Sequence, residues 1–292
     1  MRVIISIPAY NEEEDIGRTI REIKEVMNQT NYKYELQVLD DGSKDRTVEI
    51  AKKEGAKVYS NPRNLGLAET FKKELEYCLK NKADIIVHTD ADGQYDPKYI
   101  PELIKKIEQG FDLVLGSRFS GKVVDMLFLK KLGNKTFAKV ISSLIKVKIT
   151  DSTTGFRAFT RGVASDINFI NTFTYTQEQI IKAAKQKFKI TEISIESRRT
   201  RESRLFKNPI EYATKAWINI FRIYRDYDPL KFFGSIGMFF FFIGFLIGLW
   251  FVKLHLTIGI QGHLGLMVLM ILMMLMGIQV ILFGFFADMN RK

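Results

Sequence analysis

The sequence predicts an α/β domain with a mostly parallel sheet and helices on both faces, followed by a hairpin of two transmembrane helices. Three observations support this fold class. Strand-like runs alternate with helix-like runs through the first half of the chain, as in sheets built from β–α units. Almost every strand-like run ends in polar or turn residues. Two long uncharged stretches lie near the C-terminus.

The elements before residue 120 follow one another with short connections. The strand-like runs, rich in aliphatic residues, are RVIISIPAY, YELQVLDD, AKVYS, DIIVHTD and FDLVLGSR. Helices are expected between them, near residues 13–28, 45–54, 66–81 and 97–109. Ligands bind beyond the carboxyl ends of strands in open α/β sheets. The polar strand ends PAYNEE, DDGSKD, TDADGQ and GSRFSG are therefore expected to converge on one site.

The second half of the soluble part is less regular. Helices are expected at 131–145 and near 177–187, with ITDSTTGFRAF between them as a loop and KITEISIE after them as a strand. Residues 207–231 form a basic amphipathic segment that has Trp217 and Tyr224 near one face. Because Trp and Tyr favour the membrane boundary, we interpret this segment as an interfacial helix; the alternative is an ordinary helix packed on the sheet.

The C-terminal stretches 232–252 and 264–287 carry no charged residue, and each has the length of about 20 residues that a transmembrane helix needs. The connector between them is short, so they should form a hairpin. Basic residues beyond both outer ends predict a two-span cell-membrane protein whose catalytic domain and termini are cytoplasmic. The expected division is thus a domain at 1–206, the amphipathic segment 207–231 and the hairpin 232–287.

Composition narrows the possible partners. The 292 residues include 44 Lys and Arg against 33 Asp and Glu, a formal net charge of +11. Such a charge suits a nucleic acid, an anionic membrane or a phosphorylated substrate. The basic residues lie beside acids at strand ends and not in an aromatic-lined stripe, which argues against nucleic acid. The single cysteine, Cys78, excludes an internal disulfide.

The run IVHTDADGQYDP places Asp90, Asp92 and Asp96 after a predicted buried strand. Grouped carboxylates repel one another unless a cation joins them, and a hard divalent metal suits oxygen ligands. Gly93 permits a turn that brings both leading acids inward, and Gln94 offers a neutral oxygen. For Asp96 the alternative is a cap on a helix that begins at the following proline.

These motifs together resemble those of family 2 glycosyltransferases with the Rossmann-like GT-A fold, in the branch of dolichyl- or polyprenyl-phosphate mannose and glucose synthases. The resemblance extends from residue 2 to about residue 230, and the order and spacing of its motifs are more specific than any single one. In chain order they are IPAYNEE (7–13), LDDGSKD (39–45), NLG (64–66), DADGQ (90–94), GSRF (116–119), LGN (132–134), TTGFRA (153–158) and RESRL (201–205).

The resemblance implies a nucleotide-sugar site at the strand ends. The residues implied to contact the donor are Pro8, Tyr10, Glu12, Leu39, Asp41, Asp90, Ala91 and Asp92. Asp92 and Gln94 are implied to hold Mg²⁺ or Mn²⁺ against the diphosphate. For Asp40, beside Asp41, an Asx-type turn is the alternative to a nucleotide contact.

The resemblance also implies a cationic site for the phosphate of the acceptor. Its residues would be Arg118, Lys130, Lys131, Arg198, Arg199, Arg201 and Arg204. Arg204 matches the family's phosphate-binding loop best, whereas Arg201 stands where the family has glycine. The alternative is a surface ion pair for Arg118 and a solvated face for the two lysines.

The predicted reaction is inverting transfer of a hexose from a GDP-mannose or UDP-glucose type donor to a polyprenyl or dolichyl phosphate. The product would be a lipid-linked sugar for protein glycosylation or cell-envelope glycans. A phosphate monoester has a second pKa of about 6 and is already nucleophilic at neutral pH. Asp92, Arg118 and Arg204 are the expected catalytic residues. Asp151 or Glu178 could contact sugar hydroxyls or act as a base, although Glu178 could instead stabilise a helix N-terminus.

Two other function classes remain open. One is a membrane glycosyltransferase with a different acceptor, such as a lipid-linked oligosaccharide or a growing polysaccharide. The other is a non-catalytic membrane subunit that binds lipid or nucleotide. Metal-dependent hydrolysis of a sugar nucleotide would distinguish an enzyme from that subunit. The oligomeric state is left open.

Overall fold

The computed structural model describes residues 1–119, 128–166, 175–198, 218, 221–222, 224–257 and 263–290, without the side chains of 128–132. The chain divides into two compact units, Met1–Thr214 and Lys215–Lys292. The finer boundaries expected at 206 and 231 stay predictions.

The first unit contains a seven-stranded sheet with the order β3-β2-β1-β4-β6-β5-β7. The strands are β1 (Arg2–Ala9), β2 (Lys33–Asp40), β3 (Lys57–Ser60), β4 (Ile85–His88), β5 (Leu113–Ser117), β6 (Arg157–Thr160) and β7 (Ile190–Ser194). Neighbouring strands are parallel except at β6, which is antiparallel to both β4 and β5. The mostly parallel sheet that the sequence predicts is therefore confirmed.

Amphipathic helices cover the sheet. They are α1 (Ile16–Met27), α2 (Thr47–Lys53), α3 (Leu67–Lys80), α4 (Ile100–Glu108), α5 (Phe128–Ile145), α6 (Arg161–Asp166) and α7 (Tyr175–Lys185). In α1 the buried residues recur at helical spacing, at Ile16, Ile20, Ile23 and Met27. In β1 every residue after Arg2 is buried, as expected for a central strand packed on both faces.

The sequence predicts that the whole stretch ITDSTTGFRAF is a loop, and this prediction is wrong for its last residues. Its end forms β6, a strand of four residues. A strand so short, beginning with a charged residue, has too little apolar pattern to be recognised. Because β6 is antiparallel to its neighbours, its beginning lies at the edge where β4 and β5 end. The segment before β6 is thereby placed beside the acidic strand end of β4.

The second unit contains two long apolar helices, α8 (Pro229–Thr257) and α9 (Leu264–Met289). Both are long and apolar enough to cross a membrane, and few of their residues are buried. The predicted spans 232–252 and 264–287 lie within them. Of the amphipathic segment, the described residues 218, 221–222 and 224–227 are helical, whereas Trp217 lies outside the described residues.

Glycines bring α8 and α9 into backbone contact. A Cβ placed on Gly237 would lie 2.6 Å from the carbonyl oxygen of Gly277, and one on Gly277 would lie 2.6 Å from the amide of Phe241. Seven residues further along each helix, Gly244 and Gly284 are also buried in close contact with the opposite helix. Small residues at this spacing allow close packing between helices in lipid.

Candidate active site

Hydrogen bonds join the segments that follow β1 and β2. The N–H of Asn11 donates to Ser43 Oγ at 2.9 Å, and its side-chain oxygen accepts from the N–H of Lys44 at 2.9 Å. The N–H of Glu12 donates to Thr47 Oγ1 at 2.7 Å. Asn11 has a φ of 53°, in a left-handed region that asparagine tolerates better than most residues. Two strand ends predicted to border the nucleotide are thereby held together.

Asp41, the first residue after β2, has both carboxylate oxygens filled by protein donors. One oxygen accepts from the amide of Asn61 and the N–H of Leu65, and the other from the N–H of Gly66, each at 2.9 Å. The residue is only 4% exposed. In this structure Asp41 anchors the loop before α3, and its contact with a nucleotide stays a prediction.

The remaining residues predicted for the donor lie along the same edge. Asp40 accepts a hydrogen bond from the N–H of Ser43, three residues further on, at 3.0 Å, a local turn contact of the kind that the sequence left open as the alternative to a nucleotide contact. Tyr10 is 37% exposed and can present its ring to a ligand. The buried members of the set are Pro8, Leu39 and Ala91.

Asp90, two residues after β4, has surroundings unlike those of Asp41. Its side chain is 33% exposed, and no residue in the described part of the chain donates a hydrogen bond to it. A Cβ on Gly155 would lie 2.9 Å from both Asp90 oxygens, so a larger residue there would displace the carboxylate. Burial raises the pKa of Asp90 to about 6; His88 partly opposes this rise and Asp92 adds to it.

Asp92 and Gln94 follow on a tight turn at Gly93, whose φ is 69°. The N–H of Gln94 donates to one Asp92 oxygen at 3.0 Å, and the other oxygen has no donor among the described residues. Nowhere in the described ranges do three His, Cys, Asp or Glu side chains group as metal ligands. The carboxylate and amide oxygens fit a hard divalent cation, which would need further ligands from a substrate.

Arg118, directly after β5, forms a buried ion pair with Asp151. Its Nε donates to Asp151 Oδ2 at 2.7 Å and its Nη2 to Asp151 Oδ1 at 3.0 Å. Arg118 is 8% exposed, so the ion pair that the sequence left open exists but is buried and not superficial. Burial alone would lower the pKa of Arg118. Tyr95 and Asp151 raise this pKa by more than burial lowers it, so the guanidinium stays protonated.

Contacts from two other elements position the segment before β6. Glu192 of β7 accepts from the N–H of Thr150 at 2.8 Å and from that of Asp151 at 3.1 Å. The hydroxyl of Tyr95 accepts from the N–H of Gly155 at 3.1 Å. Neither Glu192 nor Tyr95 was singled out by sequence, because their partners lie 41 to 60 residues away in the chain.

The other predicted site residues are placed less centrally or lie outside the described residues. Glu178 is buried in α7, where Lys182 pairs with it at 2.8 Å. Arg198 pairs with Glu22 and Asp96. The N–H of Lys98 donates to Asp96 at 3.0 Å, which confirms the capping role that the sequence left open for this acid. Outside the described residues are Arg199, Arg201 and Arg204, and the side chains of Lys130 and Lys131.

Sequence reasoning missed a buried polar group beneath Asp90. Both oxygens of Glu74 in α3 lie within hydrogen-bond distance of His88 Nδ1, at 2.8 and 2.9 Å. The hydroxyl of Tyr175 lies 3.4 Å from His88 Nε2. Arg157, fully buried, donates to the carbonyl of Thr176 at 3.1 Å. A signal was present in the sequence, since His88 ends an apolar strand and Glu74 lies on the buried face of α3.

Comparisons with known proteins give a consistent result. The family model described as Glycosyl transferase family 2 matches residues 4–167. A dolichyl-phosphate hexose transferase of Haloferax volcanii is 34% identical over 187 residues, which cover 64% of this chain and 78% of that protein. A dolichol-phosphate mannosyltransferase of Pyrococcus furiosus is 30% identical over 281 residues, which cover 91% and 76%.

Solved structures support the fold. Glucosyl-3-phosphoglycerate synthase from Mycobacterium tuberculosis, in complex with Mn²⁺ and uridine-diphosphate-glucose, matches with a TM-score of 0.59 at 20% identity. The match covers 76% of this chain and 78% of that one. At this identity the likeness concerns the fold alone.

Proposed function

This chain is a glycosyltransferase of family 2 with the GT-A fold, and we propose that it transfers a hexose from a nucleotide diphosphate sugar to a polyprenyl or dolichyl phosphate. The observation that carries the proposal is the pair Asp90 and Asp92, two strand-end carboxylates with oxygens that the described residues leave unfilled. The names of the Haloferax and Pyrococcus relatives support the acceptor class. The two apolar helices would keep the enzyme at the bilayer, where such an acceptor resides.

For the donor, we propose that the nucleotide lies along the ends of β1 and β2 and that its sugar lies against Asp90. Tyr10 offers an exposed ring there, and Glu12 lies beside it on the segment bonded to Thr47. Asp41 would act on the nucleotide mainly by holding the loop before α3 in place, because its oxygens are already filled.

We propose Mg²⁺ or Mn²⁺ as the cofactor, held by Asp92 and Gln94. A bound divalent ion supplies positive charge where a departing diphosphate develops negative charge. The Mycobacterium structure in complex with Mn²⁺ is consistent with this choice for the fold. The turn at Gly93 and the hydrogen bond from the Gln94 N–H fix the Asp92 carboxylate, which supports a role as a metal ligand.

The acceptor phosphate needs no strong general base, because it is largely dianionic at neutral pH. This agrees with the two other acids considered, since Asp151 is bound to Arg118 and Glu178 to Lys182. We therefore assign Asp151 to holding Arg118 at the end of β5. Cations for the phosphate would come from the arginine-rich segment around Arg204 and from Nη1 of Arg118, the guanidinium nitrogen that does not bind Asp151.

The proposed inverting reaction depends on holding the acceptor phosphate in line with the bond that breaks. The phosphate oxygen attacks the anomeric carbon from the face opposite the leaving diphosphate, and the bond to the diphosphate oxygen breaks. Holding two anions in line accounts for several kcal/mol of a barrier in well-oriented reactions. The catalytic unit and both termini would be cytoplasmic, because Arg222 and Arg225 precede α8, Lys231 lies at its start, and Arg291 and Lys292 follow α9.

The test is a panel of UDP- and GDP-sugars incubated with the full-length protein in detergent, a short polyprenyl phosphate and Mn²⁺. Mass analysis of the lipid should show one added hexose for one donor, and EDTA should remove that product. A lipid that gains no sugar from any donor, while the protein binds nucleotide, would overturn the proposed acceptor. A lipid-linked oligosaccharide should be tested in the same assay, because it is the alternative acceptor.

The arginine-rich segment has its own matched pair of variants. Arg204→Ala should lower transfer far more than Arg222→Ala, which removes a charge worth about 1 kcal/mol near an anionic surface. The measurement is kcat/KM for the polyprenyl phosphate in anionic liposomes. Equal losses in the two variants would remove Arg204 from the acceptor site.

A further inference from the structure

A hydrogen-bonded pair of fully buried side chains, Glu74 and His88, lies beneath the strand end that carries Asp90. Glu74 comes from α3 and His88 is the last residue of β4. Both Glu74 oxygens are within 2.9 Å of His88 Nδ1. Nδ1 and the Glu74 carboxyl therefore share one proton between them. A glutamate on the inner face of a helix is costly to bury unless such a partner is present.

The other ring nitrogen of His88 points toward the active site. Its Nε2 lies 4.0 Å from Asp90 Oδ1 and 3.4 Å from the hydroxyl of Tyr175. Among the described residues, this is the one contact between Asp90 and a basic side chain within 4.0 Å. On its other side Asp90 lies against the backbone of Gly155, where a Cβ would come within 2.9 Å of it. The carboxylate is thus confined between the His88 ring and a glycine.

We propose that Glu74 and His88 are positioning residues for Asp90. Glu74 fixes the ring, and the side of the ring that carries Nε2 lies against Asp90 and keeps that carboxylate in the orientation that binds the donor. The inference rests on the proposed function in one respect, namely that Asp90 contacts the sugar of the donor. Asp90 remains the residue that touches substrate, and the pair acts through it.

The neighbouring groups leave this task to His88. Arg157 of β6 is fully buried, and its guanidinium donates to the carbonyl oxygens of Thr154 and Thr176 and to Gln179. Arg118 is committed to Asp151. Tyr175 of α7 shares Nε2 with Asp90 and packs edge-on against the His88 ring, with centroids 6.0 Å apart.

The competing explanation is that the pair only fastens α3 to the sheet. Two amide substitutions separate the explanations, because the amide nitrogen of Asn occupies the place of Nδ1 and that of Gln the place of Nε2. His88→Asn keeps a donor for Glu74 and removes the group that faces Asp90. His88→Gln keeps a polar group near Asp90 and breaks the bond to Glu74. A positioning role therefore makes Asn the more damaging change for donor binding, whereas a fastening role makes Gln the more damaging change for stability alone.

The first experiment measures binding to full-length protein in detergent with Mn²⁺, using UDP-glucose and GDP-mannose against UDP and GDP. The donor of interest is the sugar nucleotide that wild type binds more tightly than the corresponding UDP or GDP. His88→Asn should weaken the binding of that donor about 10- to 100-fold, the size of effect expected from a misplaced group. Binding of the nucleotide alone should change less than about 3-fold, because Asp90 contacts the sugar side. His88→Gln should keep sugar-nucleotide binding closer to wild type despite a lower unfolding midpoint. Equal weakening in both variants, or losses that follow the unfolding midpoint, would overturn the proposal.

A second measurement does not depend on the reaction. The chain has three histidines, so ¹⁵N-histidine labelling gives a simple spectrum in which His88→Asn identifies the His88 signals. The expected result is a persistently protonated Nδ1 in wild type and altered His88 nitrogen shifts in Glu74→Gln. An unprotonated Nδ1 in wild type would overturn the pair. Wild-type protein that shows this protonated Nδ1 but transfers no hexose would instead overturn the proposed function.

Discussion

The acids at the end of β2 and at the end of β4 have opposite environments. Asp41 accepts three hydrogen bonds at 2.9 Å, whereas Asp90 accepts none from the described residues and has its pKa raised to about 6 by burial. Asp151 resembles Asp41, because Arg118 binds both of its oxygens. Asp41 and Asp151, whose oxygens accept hydrogen bonds from protein donors, stabilise this edge of the sheet. A carboxylate kept in a poor environment without donors costs stability, and binding of a ligand is what offsets that cost.

The largest expected effect comes from leaving a filled acid without its partner. Arg118→Ala removes the cation bound to Asp151 and should lower the free energy of unfolding by about 3–5 kcal/mol, the usual result of stranding a buried charge. The measurement is thermal unfolding in detergent. The double change Arg118→Ala with Asp151→Ala should recover part of the loss. A single variant as stable as wild type would mean that the pair does not support the fold.

Removing an unfilled acid should affect activity and not stability. Asp92→Asn keeps the shape of the turn but weakens a metal ligand, and we expect kcat to fall by at least about 10²-fold, as when one electrostatic contact to a transition state is lost. The unfolding midpoint without metal should match wild type. Near-normal turnover of this variant at limiting Mn²⁺ would show that Asp92 does not hold the metal.

A smaller effect is expected at the filled acid of β2. Asp41→Asn replaces one accepting oxygen by an amide that cannot accept from Leu65 or Gly66. The free energy of unfolding should fall by about 1–3 kcal/mol, the cost of an unsatisfied buried donor. Urea unfolding measures this loss. If Asp41→Asn instead abolishes nucleotide binding with no loss of stability, Asp41 acts directly on the ligand.

The last effect appears only when the pH changes and concerns Asp90. Its pKa is about 6 in the folded protein against 3.8 for the ordinary group, so the folded state binds the proton more tightly. The stabilisation from this group is present below pH 3.8 and is lost as the pH rises through 6. Without metal, wild type should therefore lose stability relative to Asp90→Asn between about pH 4 and 6. A difference in unfolding midpoint that stays constant over this range would contradict the assigned environment.

Sequence patterns predicted the parts of the site that depend on local chemistry. The turn at Gly93 needs only adjacent residues, so the DADGQ motif was enough to predict a turn after β4, while Asp92 and Gln94 as metal ligands stay a prediction. Pairings across the sheet were not visible. Arg118 and Asp151 were both singled out, yet their mutual bond joins residues 33 apart. Likewise β6 was missed because the burial of Arg157 depends on partners on α7, which no local pattern displays.

The position of β6 also has a consequence for how the chain folds during synthesis. In the sequence β6 follows β5, but in the sheet it lies between β4 and β5. A nascent chain that has released β1 to β5 can pair β1 with its neighbours, yet β4 keeps one edge open until residue 160 emerges. Pairings that wait for distant residues form slowly and leave strand edges exposed meanwhile. A ribosome-bound chain stalled before Arg157 should therefore hold the β1–β4 layer without a closed active-site edge, and it should be the stage most in need of a chaperone.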